Sequence, residues 1–270
     1  MDMRKYNQAM VATYSRRTAA ESSAYMLPLI KPHMRILDVG CGPGTITLDL
    51  AAQVPEGSVN GVDASNSAIE KAQELCQQRG TTNASFAVAD IAKLPFDDDS
   101  FDIVHAHQVL IHLPGQQGDP GPVWGLKEMR RVCKPGGFVC AREAEWSSIV
   151  LYPRIHGVNE SIALLARLAD HAGKVIAGGR GREFARKAGF SPESISASAA
   201  CVTYTNPADR AWAGENMGSR FDAGSDLKKG VELGFVTEEE AARMPAAWRE
   251  WAKAEDGFYS MIHGQVVCTK

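Results

Sequence analysis

The sequence lacks the features that mark a membrane-spanning chain or a nucleic-acid surface. No apolar stretch reaches the roughly 20 residues that a membrane-spanning helix needs, and aromatic residues make up only 7% of the chain. Lys and Arg (29 residues) are outnumbered by Asp and Glu (32 residues), which gives a net charge of -3. Such a charge does not favour a polyanionic partner. We therefore expect a globular cytoplasmic protein with neither nucleic acid nor membrane insertion.

Close pairs of cysteines are also lacking. The six cysteines form no close pair at the spacing of zinc ligands, so no metal site is expected. Reduced, mostly buried thiols are the simplest interpretation, and they indicate a reducing compartment. With 44% hydrophobic and 23% charged residues among 270, the composition is typical of a globular protein, and we expect a single domain.

Short apolar runs alternate with helical patterns over the first half of the chain. Strands are predicted at 35–39, 58–62, 84–89, 101–106 and 138–143, and helices at 45–53, 67–79 and 123–132. Strands that alternate with helices are joined by right-handed crossovers. The pattern therefore predicts an α/β fold, a Rossmann-like doubly wound sheet that is mostly parallel, with an antiparallel last strand at 258–269.

The remaining segments are arranged around this core. Apolar residues at helical spacing predict a helical arm over residues 1–34, before the alternating strands and helices of residues 35–145. Two less regular segments, 146–177 and 206–257, are expected to be insertions. Six residues of the first insertion are too apolar for an exposed loop, and they either line a hydrophobic pocket or form the core of a lid. These six are Trp146, Ile149, Val150, Leu151, Tyr152 and Ile155.

A glycine-rich loop, Asp38-Val-Gly-Cys-Gly-Pro-Gly44, joins the first predicted strand to the first helix of the core. Open α/β sheets bind ligands at this place. A dinucleotide-binding loop of the form GxGxxG would need glycine where the chain has Thr45. The GxGxG pattern, preceded by an acid, instead favours a nucleoside that carries an amino-acid tail. The glycines alone are also compatible with simple turn geometry.

Two further acidic residues end predicted strands. Asp63 ends the second strand in VNGVDAS, where a carboxylate can accept hydrogen bonds from both hydroxyls of a ribose. Asp90 ends the third strand in FAVADI, where it can accept from the exocyclic amine of adenine while Ile91 packs on the base. Taken singly, Asp63 is more typical of a helix start, and Asp90 is also typical of a polar turn.

Four segments together resemble the class I S-adenosylmethionine-dependent methyltransferases, particularly the small-molecule branch that includes the ubiquinone/menaquinone-biosynthesis type. They are ILDVGCGPG, VNGVDAS, ADIAKLPFDDDSFDIVHAHQVLIHL and EMRRVCKPGGFV. The resemblance implies S-adenosyl-L-methionine as cofactor and S-adenosyl-L-homocysteine as product. It implies that residues 35–145 bind the cofactor and that the insertions 146–177 and 206–257 cover the substrate. It also implies methyl transfer by in-line displacement to an O, N, C or S atom of a small, fairly hydrophobic metabolite.

The resemblance further implies a set of cofactor-binding residues. They are Tyr14, Arg17, Asp38, Gly40, Gly42, Gly44, Asp63, Ala64, Asp90, Ile91, His107 and Gln108. In this assignment the glycines pass close to the methionine part, Asp38 contacts its amino group, and Asp63 holds the ribose. His107 and Gln108 line the methionine end, while the two arm residues close over the cofactor.

A general base is needed only if the accepting atom begins protonated. Candidates at the predicted strand ends are His107, His112 and Glu143. For Glu143 and the neighbouring Glu145, a salt bridge with Arg142 or Arg180 is an equal alternative. His105, by contrast, is expected to have a structural role.

Two other functions stay open. A methyltransferase-like enzyme can keep the cofactor and catalyse a cyclisation, elimination or decarboxylation, because a fold does not determine a function. A noncatalytic protein that senses the cofactor is the second alternative. A homodimer formed through the inserted helices is compatible with the pattern.

Overall fold

The computed structural model describes residues 13–115, 118–173, 178–222 and 224–270. These residues form two compact units. The core unit contains the described residues up to Glu143, together with Gly179–Ser198 and Gly264–Lys270. The helical unit contains the described residues of 144–178 and 199–263. The helical unit therefore combines most of the two segments that were predicted to be insertions.

Eight strands and nine α-helices have both ends inside the described ranges, and residues 13–15 are also helical. The strands are β1 (Arg35–Val39), β2 (Ser58–Asp63), β3 (Ala84–Val88), β4 (Phe101–His107), β5 (Cys133–Ala144), β6 (Val150–Tyr152), β7 (Ile195–Tyr204) and β8 (Phe258–Thr269). The helices are α1 (Ala19–Ser22), α2 (Thr45–Ala51), α3 (Asn66–Arg79), α4 (Gly121–Val132), α5 (Val158–His171), α6 (Gly181–Lys187), α7 (Pro207–Asp222), α8 (Ser225–Glu232) and α9 (Glu238–Ala252).

The strands form one sheet in the order β3-β2-β1-β4-β5-β8-β6, with β7 paired to β8. Strands β1 to β5 are parallel, whereas β6 and β8 are antiparallel. This confirms the predicted fold class. Because parallel strands end at the same edge, the register brings Val39, Asp63 and His107 to one side of the core unit.

Local sequence explains the boundaries of the core elements. Four of the five residues of β1 are buried, as expected for a strand covered on both faces. Helix α3 is capped at both ends. The Ser65 side chain precedes it and accepts from the Ala68 amide, and Gly80 follows it in the left-handed conformation. A cluster that includes Met26, Ile36, Leu50 and Ile103 forms the hydrophobic core here.

The helical unit has its own core. Helices α5, α7 and α9 contribute Leu164, Phe221, Trp248 and Trp251, all at most 1% exposed. The buried indole nitrogens are satisfied, since Trp248 donates to Ser161 Oγ at 2.8 Å and Trp251 to the Tyr152 carbonyl at 3.0 Å. No helix in the described ranges is long and apolar enough to cross a membrane.

The arm is expected to be helical, and its described part is helical in short pieces, the first at residues 13–15. Thr18 is extended and its hydroxyl accepts from the Glu21 amide, so a new four-residue helix, α1, starts there. A 3-10 turn at Leu27–Leu29 contains Pro28, which lacks an amide donor. Residues 6–12 of the expected helix lie outside the described residues. Strand β5 also begins earlier than predicted, at Cys133, with an irregular register between Phe101 and Ile103.

Candidate active site

The glycine loop joins β1 to α2 through three glycines in the left-handed region, with φ values of 69°, 55° and 81° at Gly40, Gly42 and Gly44. A Cβ on Gly40 would lie 2.3 Å from Val109 Cγ2, and one on Gly44 would lie 2.9 Å from Phe86. A Cβ on Gly42 would meet nothing within 4 Å. Two glycines therefore permit close packing, while Gly42 leaves its backbone open to a ligand.

Asp63 lies at the end of β2 and is 5% exposed. Its Oδ2 accepts from the Gly42 amide at 3.0 Å, and its Oδ1 accepts from the Ser65 amide at 2.9 Å. These bonds fix the carboxylate beside the open part of the glycine loop. A carboxylate in this position suits contact with the hydroxyls of a ribose.

The residues predicted at the adenine differ in exposure. Asp90 is exposed, and its Oδ1 accepts from the Ala92 amide at 2.9 Å. Ile91 is 8% exposed, whereas Ala64, which follows Asp63, is exposed. An exposed acid can meet the edge of an adenine, and a buried apolar side chain can pack on its face. Adenine binding by Asp90 and Ile91 stays a prediction.

Asp38 is directed into the protein. It is 3% exposed, its Oδ2 accepts from Thr47 Oγ1 at 2.6 Å, and its Oδ1 lies 2.8 Å from His105 Nδ1. His105 has no exposure, in agreement with its expected structural role. Contact between Asp38 and the cofactor's amino group stays a prediction, and both carboxylate oxygens already have protein partners.

The arm and the end of β4 meet. Arg17 donates to Gln108 Oε1 at 2.7 Å and lies 4.6 Å from the centre of the Tyr14 ring. The Tyr14 carbonyl accepts from Thr45 Oγ1 at 3.3 Å. Gln108 has a φ of 55°, an uncommon conformation for a residue other than glycine. His107, at the end of β4, is 6% exposed. The structure thus brings both predicted arm residues to the glycine loop and the β4 end.

Glu143 is a buried acid at the carboxyl end of β5. Its Oε1 accepts from the amides of Val109 and Leu110 at 3.1 and 2.8 Å. Within the described ranges, its buried Oε2 has no hydrogen-bond partner. Burial raises the pKa of the Glu143 carboxyl to about 7, against the lowering effect of the backbone amides and Arg17. A group with this pKa can accept a proton near neutral pH.

The other candidates have simpler surroundings. His112 is half-buried at the end of a 3-10 turn, Leu110–His112. Glu145 accepts from Ser147 Oγ at 2.6 Å, and Arg180 pairs with Glu183. Neither of the suggested salt bridges from Glu143 to Arg142 or Arg180 is present among the described residues.

Sequence reasoning missed two residues beside Asp38. Thr47 and Ser23 both belong to its buried hydrogen-bond network, because Ser23 Oγ lies 3.1 Å from His105 Nε2. Ser23 is 82 residues from His105 in sequence, and no local pattern signals the contact. Thr47 is nine residues after Asp38, and a hydroxyl facing the loop from the first turn of the helix was the available signal.

These residues fit the S-adenosylmethionine that the resemblance implies. Gly42 leaves room for backbone contact, and the Asp63 carboxylate suits two hydroxyls. No group of three or more His, Cys, Asp or Glu that could hold a metal ion occurs in the described part of the chain.

The chain was compared with known proteins. Residues 30–188 match a family model described as a methyltransferase domain. An uncharacterized methyltransferase of Schizosaccharomyces pombe is 36% identical, over 96% of this chain and 92% of its own length. A probable methyltransferase, ltbC, of Aspergillus luteorubrus is 29% identical, over 98% of this chain and 95% of its own.

A solved structure extends the comparison to the fold. Haemonchus contortus phosphoethanolamine N-methyltransferase 2, solved in complex with S-adenosyl-L-methionine, aligns with a TM-score of 0.53 at 20% identity. The alignment covers 89% of this chain and 49% of that one. The chain belongs to the methyltransferase domain family, and it is a class I methyltransferase that uses S-adenosyl-L-methionine.

Proposed function

We propose that the enzyme methylates a small, fairly hydrophobic metabolite at an atom that loses a proton in the reaction, with a hydroxyl oxygen as the first candidate. The observation that carries this proposal is the buried Glu143 carboxyl, which has one oxygen without a partner among the described residues. Its pKa of about 7 suits proton acceptance at neutral pH. An acceptor atom that carries no proton before the reaction would need no such group.

The cofactor-binding residues are assigned in the same proposal. Asp63 binds the ribose hydroxyls, the Gly42 backbone lies against the amino-acid tail, and Asp90 with Ile91 binds the adenine. His107 and Gln108 line the methionine end, next to the loop that Glu143 holds through its Oε1. When bound, S-adenosyl-L-methionine supplies a strongly activated methyl group, so alignment of the nucleophile provides much of the rate.

Glu143 has the best-supported role as general base. Two backbone amides hold Oε1 and thereby fix the orientation of the carboxyl, which leaves Oε2 to accept a proton from the acceptor. The predicted alternatives, His107 and His112, lie at the β4 end and in the following 3-10 turn. Both stay in the proposal as alternative bases.

The helical unit supports an apolar acceptor. A pocket of about 440 Å³ lies within it, and its apolar lining includes Trp146, Ile149 and three residues of α5, Ile162, Ala163 and Ala166. Ser147, Asn159 and Asp170 add polar groups to the lining. This volume is in the range of small-molecule sites, roughly 300–1,000 Å³. Leu151 and Ile155 instead pack on the unit's core.

The proposal also covers partners and location. The net charge of -3 supports a small-molecule acceptor in preference to nucleic acid. The six cysteines, all free thiols, support a cytoplasmic setting. A homodimer is the proposed assembly, and sedimentation velocity of the purified protein tests it.

The decisive experiment is mass spectrometry of a metabolite extract incubated with the enzyme and methyl-deuterated S-adenosyl-L-methionine. We expect a product that carries the deuterated methyl with the wild type, and no such product with Glu143→Gln or Asp63→Ala. An altered product without the label would contradict methyl transfer and favour cyclisation, elimination or decarboxylation. Full labelling by Glu143→Gln would contradict the role of Glu143 and leave methyl transfer intact.

A further inference from the structure

A chain of four polar side chains crosses the interior of the core unit. Thr47 Oγ1 lies 2.6 Å from Asp38 Oδ2, Asp38 Oδ1 lies 2.8 Å from His105 Nδ1, and His105 Nε2 lies 3.1 Å from Ser23 Oγ. Ser23, Thr47 and His105 have no exposure, and Asp38 is 3% exposed. Buried polar groups that satisfy each other in this way specify one arrangement of the elements that carry them.

The protons of this chain all point towards Asp38. An ionised carboxylate only accepts hydrogen bonds, so Thr47 donates to it through its hydroxyl and His105 through its Nδ1 proton. In the imidazole tautomer that carries its proton on Nδ1, Nε2 accepts the Ser23 hydroxyl proton. The Ser-His-Asp connectivity is that of a hydrolytic triad, but here Ser23 and His105 have no exposure and all three side chains belong to the interior of the core unit.

The same chain anchors the N-terminal segment. Near Ser23, the Ala19 amide donates to Asp49 Oδ2 at 3.0 Å, and Arg142 donates to the Glu21 carbonyl. A few residues earlier the segment reaches the cofactor loops, where Arg17 donates to Gln108. Residues 19–23 are thus anchored to α2, β4 and β5, and this anchoring sets where residues 14–17 lie.

We propose that Ser23 and His105 are positioning residues for cofactor binding. They act through Asp38 and the docked N-terminal segment, and they touch no cofactor themselves. The four hydrogen-bonded side chains connect both ends of the glycine loop, since Asp38 precedes the loop and Thr47 follows it. Removal of the Ser23 hydroxyl loosens the segment and the loop together. The inference rests on the proposed cofactor site and is independent of the acceptor.

The first experiment is calorimetric titration of the full-length variants with S-adenosyl-L-homocysteine. Ser23→Ala is expected to weaken binding about three- to tenfold, the usual effect of one lost hydrogen bond. The neighbouring Ser22→Ala is the matched control, because Ser22 is also buried, at 5% exposure, and does not belong to the four hydrogen-bonded side chains. Its dissociation constant is expected to match the wild type. Equal affinity of Ser23→Ala and Ser22→Ala, whatever their melting temperatures, would overturn the inference.

Two further tests separate positioning from general stability. Thr47→Val removes the hydroxyl at nearly constant volume and is expected to weaken S-adenosyl-L-homocysteine binding. Thr47→Ser keeps the hydroxyl and is expected to bind like the wild type. In an Asp38→Asn background, Ser23→Ala is expected to have a much smaller effect, because Ser23 acts through Asp38. An undiminished effect in that background also overturns the inference. If the wild type does not bind S-adenosyl-L-homocysteine, the cofactor site itself is contradicted. This outcome differs from failure of the positioning inference, in which the wild type binds and the variants bind equally well.

Discussion

Replacing Glu143 with glutamine is expected to stabilise the folded protein above neutral pH and to change its stability little at about pH 5. Burial raises the pKa of this carboxyl from 4.5 to about 7. Between these values the folded protein keeps a proton that the unfolded chain has lost. The wild-type free energy of unfolding therefore falls as the pH rises through this window, by up to about 1.4 kcal/mol per unit.

The size of the effect follows from the difference between the pKa values of Glu143 in the unfolded and folded protein. Between about pH 5 and pH 8.5 the free energy of unfolding of the wild type falls by about 2–3 kcal/mol through this one group. Glutamine does not ionise and escapes this loss. It also keeps an oxygen for the Val109 and Leu110 amides and places an NH2 where Oε2 has no described partner.

Urea unfolding followed by tryptophan fluorescence measures the effect at about pH 5, 7 and 8.5. The advantage of Glu143→Gln over the wild type is expected to grow by about 2–3 kcal/mol across this range. Glu56→Gln makes the same chemical change at an exposed position and serves as the control. An advantage that is the same at all three pH values would refute the reasoning, because it would show that the carboxyl is not protonated in the folded protein.

Two more predictions concern the cofactor loop. Asp63→Asn is expected to weaken S-adenosyl-L-homocysteine binding about tenfold or more in calorimetry, because charge-assisted hydrogen bonds are lost; unchanged affinity would remove Asp63 from the ribose role. Gly40→Ala is expected to destabilise the protein by about 1–3 kcal/mol more than Gly80→Ala, since its Cβ overlaps Val109. Both glycines have positive φ, and Gly80 is open, so equal melting temperatures would contradict the overlap.

Much of the core unit could be predicted from sequence. The bounds of β1 and β8 agree with the prediction, because apolar runs bounded by turn residues define strands locally. The strand-end acid Asp63 was located for the same reason. The alternation in FDIVHAH also indicated that His105 is interior.

Other features depend on packing that no local pattern reports. The spacing of apolar residues predicted a helical arm, but capping by Thr18 and the ring of Pro28 divide it into short pieces. Short β6 was missed because three residues carry no periodicity, and it forms only by pairing with β8. The partners of Asp38 come from distant segments, so its burial was not foreseen.

The division of the chain into units has a consequence for building chimaeras. The helical unit is encoded in two stretches, with Gly179–Ser198 of the core unit between them. Exchanging it between relatives therefore takes two grafts made together. The boundaries after Ser198 and His263 fall inside β7 and β8, where a shift of one residue turns every side chain to the opposite face. The length of a graft, counted in single residues along these two strands, decides whether the recombined enzyme folds.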